Sequence, residues 1–134
     1  MRTIIRKPLP QQYLVAMSKT APRRVQLSRA KGWRMPPNTV KVDRSTRWGN
    51  PFVRGVDGDQ AQCVELHRRL LEYGSLPAGV LTPERVAYRT LVLRDIQELH
   101  GLNLACWCKV GTPCHADVLL EMAGRGVKML LKRC

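Results

Sequence analysis

Four potential metal ligands fall within ten residues: Cys106-Trp107-Cys108, then Cys114-His115. Zinc favours thiolate and imidazole ligands in a tetrahedron, and three Cys with one His is a common structural set. The spacing here is C-x-C-x5-C-H, unlike the C-x2-C of ordinary zinc fingers. A strand over Leu102 to Cys108 has a period of two, which puts Cys106 and Cys108 on one face and Trp107 on the other. Gly111 and Pro113 in the following loop suit a reversal that returns Cys114 and His115 to the same point. The bland alternative is a pair of buried reduced thiols, a chance Cys and a His near a helix start. With four protein ligands a metal has no open position and is structural; with three, a bound water takes the fourth place.

The second chemically rich stretch is Arg44 to Arg54. Arg44, Arg47 and Arg54 have the charge to contact phosphate, and Trp48 has the surface to stack on a base, worth about 1–3 kcal/mol in single-stranded complexes. Asn50 can donate to and accept from a base edge. The competing expectation is a packed loop, with Trp48 and Phe52 at the rim of the core and Gly49 and Asn50 in a turn. Lys31 and Arg34 beside Trp33 carry the same two readings. Asp43 is a candidate general base or sugar-hydroxyl partner, set against a plain salt bridge to Arg44 or Arg47. His67 and His100 fall on helices and are expected at the surface, Cys63 in the core, and Cys134 free.

Charge is distributed unevenly. Residues 1 to 54 hold 13 Lys and Arg against a single acid, Asp43, for a net +12; residues 55 to 134 hold 10 against nine, for +1. Such asymmetry points to an anionic partner, nucleic acid above all, or else to a solvated basic arm. A membrane surface fits less well, because no basic amphipathic helix with bulky apolar anchors is found there. No apolar run approaches the roughly 20 residues needed to span a bilayer, and Met1 to Pro10 lacks the apolar core of a secretory signal. Five cysteines, three of them clustered, read as a reducing compartment with a metal site, hence a cytoplasmic protein.

These residues need elements to hold them. Residues 1 to 22 have no sustained period and read as a peripheral extension, in which Met17 could itself be a start; residues 23 to 134 read as one domain. Val25 to Ser28 and Thr39 to Asp43 alternate as short strands. Arg44 to Gly58 is a long loop of the kind that is functional or disordered. Asp59 to Tyr73 has Cys63, Leu66, Leu70 and Tyr73 at helical steps, with Gly74 as its stop. Thr82-Pro83-Glu84 opens a helix running to about His100, with Tyr88, Val92, Ile96 and Leu99 inward. Thr112-Pro113 repeats that signal and predicts a helix ending near Gly124, followed by a last strand over Val127 to Leu131. The expected architecture is a small layered α/β fold with about four strands and three helices, its zinc site at a strand-loop-helix junction. In such folds ligands gather beyond the carboxyl ends of the strands.

Arg47-Trp48-Gly49-Asn50-Pro51-Phe52, Leu104-Ala105-Cys106-Trp107-Cys108 and Cys114-His115-Ala116-Asp117-Val118-Leu119 together resemble a phage and bacterial family catalogued as domain of unknown function 4326. The resemblance covers about Val25 to Gly124 and implies that the motifs form one site; it implies no activity. The sequence therefore predicts a zinc-binding protein that engages nucleic acid or a nucleotide phosphate through its basic N-terminal half. The alternative is a nucleotide- or nucleoside-processing enzyme with Asp43, Asn50 and the Cys/His cluster around one pocket. A blocker of a nucleic-acid enzyme fits a basic surface less well.

Overall fold

Leu104, Ala105 and Cys106 are buried on both faces of the sheet, and the rest of the fold is arranged around them. They belong to β3 (Asn103–Cys106), the middle strand of a three-stranded sheet between β1 (Arg24–Gln26) and β2 (Thr39–Lys41). Both pairings are parallel. The computed structural model describes residues 21–133, with side chains described for 21–125. Cys134 and all but the last two residues of the predicted extension 1–22 lie outside the described residues.

The period of two in β3 separates two packing surfaces. Leu104 and Cys106 face a helical layer with Val42, Leu71, Val92, Ile96, Leu99 and Leu119. Ala105 faces Val25 and Leu27, with Trp33 against them. A central strand buried on both sides is what parallel sheets require. Pairing continues past the strand ends: the Leu27 amide donates to Cys106 O at 2.9 Å and the Val42 amide to Ala105 O at 2.8 Å. Leu27, Val42 and Cys106 thus meet at the carboxyl end of the sheet.

The first helix, α1 (Gln60–Tyr73), opens with a capping box. The Asp59 carboxylate accepts from the Gln62 amide, and the Gln62 side chain accepts from the Asp59 amide. Gly74 ends it in the left-handed region at φ 66°. Its inward residues are Cys63, His67, Leu70 and Leu71. This corrects two expectations. His67 is fully buried and not at the surface, because it sits one turn after Cys63 on the same stripe; Tyr73 falls off that stripe and is 70% exposed.

Helix α2 (Pro83–Asp95) starts as predicted, with Thr82 capping the Arg85 amide and Pro83 at the first helical position. It tightens into a 3-10 turn (Ile96–Leu99) that completes the expected span. The last helix, α3, runs His115–Arg133. The predicted stop near Gly124 and the strand over Val127 to Leu131 are therefore overturned, and the sheet has three strands. A glycine terminates a helix when it turns left-handed; Gly124 is not among the positive-φ glycines. Val-Lys-Met-Leu-Leu is a short apolar run without alternation, and such runs suit either element.

Candidate metal centre and adjoining cleft

Three side chains converge at the carboxyl end of β3. The ligand atoms of Cys106, Cys114 and His115 lie within 4.8 Å of one another, and all three residues are buried. Cys106 is the last residue of β3, and His115 is the first of α3. Cys114 stands in the capping place before that helix. Its sulfur accepts from the Ala116 amide at 3.5 Å, and its carbonyl accepts from the Asp117 amide at 3.0 Å. The cap expected from Thr112 is not made. Its hydroxyl is spent on Lys109 O at 2.6 Å inside the turn, where Gly111 takes φ 93°.

Cys108, the fourth expected ligand, lies outside that group of three, beyond the strand end, with its sulfur 3.7 Å from that of Cys106. The Gln60 side-chain amide donates both to this sulfur at 3.4 Å and to Pro113 O at 2.8 Å, tying α1 to the two ends of the ligand loop. Hydrogen bonds from the Cys106 and Cys114 thiols hold Cys108 below the usual thiol range, while the same contacts push Cys114 up. Thiolates close to an imidazole suit a soft divalent cation, whose binding displaces their protons.

The imidazole is already oriented for that role. His115 Nε2 lies 2.6 Å from Val42 O. A carbonyl only accepts, so Nε2 carries the proton and Nδ1 keeps its lone pair. Nδ1 is the atom that faces the Cys114 sulfur, at 3.8 Å. Metal-ligating histidines characteristically donate their other N–H to a carbonyl or carboxylate. Burial lowers the His115 pKa, which favours the neutral form that ligation needs. The residues present therefore fit a bound metal ion.

Arg24 braces the assembly, donating to Asp117 Oδ2 at 2.9 Å and to Lys109 O at 3.0 Å. Nothing in the local sequence marks Arg24 or Gln60 as part of the site, because both come from distant elements. Trp107, just past the end of β3 and given no role by the sequence, proves more informative. Its indole N–H donates to Asp43 Oδ2 at 2.9 Å, Arg29 lies 4.5 Å above its ring, and the side chain remains 41% exposed. Alternation along the expected strand Leu102 to Cys108 turns it away from the cluster, but β3 ends at Cys106 and Trp107 lines one cavity with Cys106 and His115.

A cavity of about 320 Å³ opens between the cluster and the 43–50 loop. Asp43, Asn50, Trp107, Cys106, Cys108 and His115 all line it. A second cleft of about 540 Å³ shares Gln60, Trp107 and Cys108 with it and has Arg54, Lys109 and Asp59 on its wall. Asp43 pairs with neither Arg44 nor Arg47. Its Oδ1 accepts from the Ser45 amide at 3.2 Å and hydroxyl at 2.5 Å. Burial raises its pKa, but these bonds and that from Trp107, with Lys41 nearby, bring it below the usual value, so the carboxylate is ionised.

The remaining expected phosphate and base contacts are placed as follows. Arg44 donates to Asn50 O at 2.7 Å and Phe52 O at 2.9 Å, closing the loop on itself. Arg47 pairs with Asp95 and, at 2.6 Å, with Glu98. Trp48 is a core residue with Arg47 over its ring at 4.6 Å. Asn50 is buried and bonded to the Phe52 amide and Cys63 O. A Cβ at Gly49 would lie 2.8 Å from Arg44 Cα, which explains the glycine in this tight loop. Lys31 and Arg34 are exposed and away from the cavity; Arg54 is exposed on the second cleft. No helix among the described residues is long and apolar enough to cross a membrane.

The fold and site define a small α/β protein with a Cys/His cluster able to hold a metal ion. A family model, Domain of unknown function (DUF4326), matches residues 25–125, and the chain belongs to that family. No curated protein and no solved structure matches it.

Proposed function

We propose that this protein is a zinc-pinned binding module for nucleotides or single-stranded nucleic acid, acting in a reducing cytoplasm. Cys106, Cys108, Cys114 and His115 are the ligands, and the closed set makes the metal structural. When bound, the ion supplies cross-linking energy and fixes the strand-loop-helix junction. The chain's own residues supply recognition. The carrying observation is Trp107, a half-exposed indole between two cavities, with Arg29 over its ring and Arg54 and Lys109 on the adjoining wall. An aromatic platform set among cations is the recurrent device for bases joined to phosphates. Trp107 takes the stacking role that the sequence offered to Trp48, and the basic N-terminal half contributes Arg29 and Arg54.

Fluorescence titration with adenosine monophosphate and with a single-stranded oligonucleotide tests this reading. Trp107→Ala should abolish most of the binding in a variant that still melts cooperatively, at a lower temperature because Asp43 loses the indole bond. Equal binding by the variant would overturn it. One observation favours a second reading as a nucleotide- or nucleoside-processing enzyme: an ionised Asp43 shares its cavity with three residues of the cluster. Chemical alteration of the bound nucleotide on incubation, lost in Asp43→Asn, would support it.

A further inference from the structure

Asp43 is the only acid among the first 54 residues, and it is 6% exposed. Among the described residues no Lys, Arg or His forms an ion pair with it, although cations lie on every side in sequence. A buried carboxylate without a counter-ion is costly unless its lone pairs are filled. A carboxylate offers roughly four acceptor positions. Three are taken: two on Oδ1 by Ser45, one on Oδ2 by Trp107. One position on Oδ2 is left, and the residue lines the cavity.

The Trp107 bond fixes where that position lies. An indole N–H points outward in the plane of the ring, so the carboxylate sits beside the ring edge and not over its face. A base stacked on Trp107 therefore cannot put its own flat edge on Asp43 without leaving the stack. Groups carried at the margin of the base, out of its plane, are the ones within reach. We propose that Asp43 accepts a hydrogen bond from a sugar hydroxyl of the ligand stacked on Trp107, so that the site selects nucleotides with an intact ribose. This rests on the nucleotide reading of Trp107, which lines both the cavity that holds Asp43 and the cleft with Arg54 and Lys109, and adds the part of the ligand that is recognised. Carboxylates serve this purpose on ribose elsewhere, and the 2′-hydroxyl is what distinguishes RNA from DNA chemically.

The experiment compares adenosine monophosphate with its 2′,3′-dideoxy form on the intact, metal-loaded chain at one fixed salt concentration. The ribose form should bind about tenfold or more tightly, as expected for a hydrogen bond to a charged group. Asp43→Asn, checked by thermal melting, should bring the two affinities together by weakening the ribose form. Trp107→Phe keeps the carboxylate but gives up part of the platform and the indole bond that aims Oδ2, and should weaken both ligands. Equal affinities in the wild type would overturn the proposal whether or not the Asn variant folds, and so would a ratio that survives in Asp43→Asn. Failure of the wild type to bind either ligand would overturn the nucleotide reading together with it, a result distinct from equal binding of both.

Discussion

The atom that decides the chemistry of the cluster is Nδ1 of His115. Its availability follows from one hydrogen bond, Nε2 to Val42 O, made by a residue 73 positions away. Cys108 is the most accessible of the four candidate ligands and the least constrained by secondary structure, since β3 ends at Cys106. Protein purified under reducing conditions is therefore expected to contain one zinc per chain by elemental analysis. Cys108→Ser should lower both the zinc content and the melting temperature, because structural zinc contributes folding energy. Chelation should reproduce the stability loss in the wild type but add little to it in a variant that has already lost the ion. A melting temperature indifferent to chelator would show that the sulfurs are only a buried thiol cluster.

At the scale of elements, α1 and α2 are joined through a buried polar chain. The Tyr88 hydroxyl donates to Trp48 O at 3.0 Å, so His67 Nε2, 2.8 Å from the Tyr88 hydroxyl oxygen, must donate to that hydroxyl. His67 Nδ1 is then a lone pair with no partner among the described residues. Tyr88→Phe orphans the carbonyl and the imidazole N–H together and should cost about 1–3 kcal/mol in denaturant unfolding. Burial, with His115 and Arg68 nearby, depresses His67 well below the usual histidine range. The folded state thus refuses a proton that the unfolded chain accepts. The contribution of His67 to stability is complete above about pH 6.5 and falls as pH drops below it. His67→Phe should soften that acid limb; an unchanged limb would assign it to other groups. Much of this scaffold was legible beforehand. The strands at Val25 and Thr39, the Thr82-Pro83 helix start, the Gly74 stop and the convergence of Cys106, Cys114 and His115 all follow from local periodicity and turn chemistry. What local rules miss is long-range. His67 is inward because of where the Cys63 stripe points, and Gly124 stays helical because the backbone beyond it does. Gln60, Arg24 and Trp107 enter the site only through tertiary contacts.

For the molecule as a whole, the question is which cations of the basic half are free to act. The sequence cannot sort them, because Arg44, Arg47 and Arg54 are equivalent as letters. The structure spends Arg44 on the carbonyls of its own loop and Arg47 on Asp95 and Glu98. Arg54 and Lys109 line the cleft beside Trp107, and Arg29 covers the ring. Charge reversal at Arg29, Arg54 and Lys109 should therefore weaken single-stranded binding across all sequences and flatten its salt dependence. Each lost phosphate contact should change the log–log slope by about 0.7. Arg47→Glu is the informative contrast. It breaks two surface ion pairs and the cover over Trp48, so it should lower the melting temperature while leaving the slope nearly unchanged. If Arg47→Glu flattened the slope and the Trp107 cations did not, the anionic ligand would lie on the 3-10 turn side of the molecule, and the Trp107 cleft would lose its claim as the binding site.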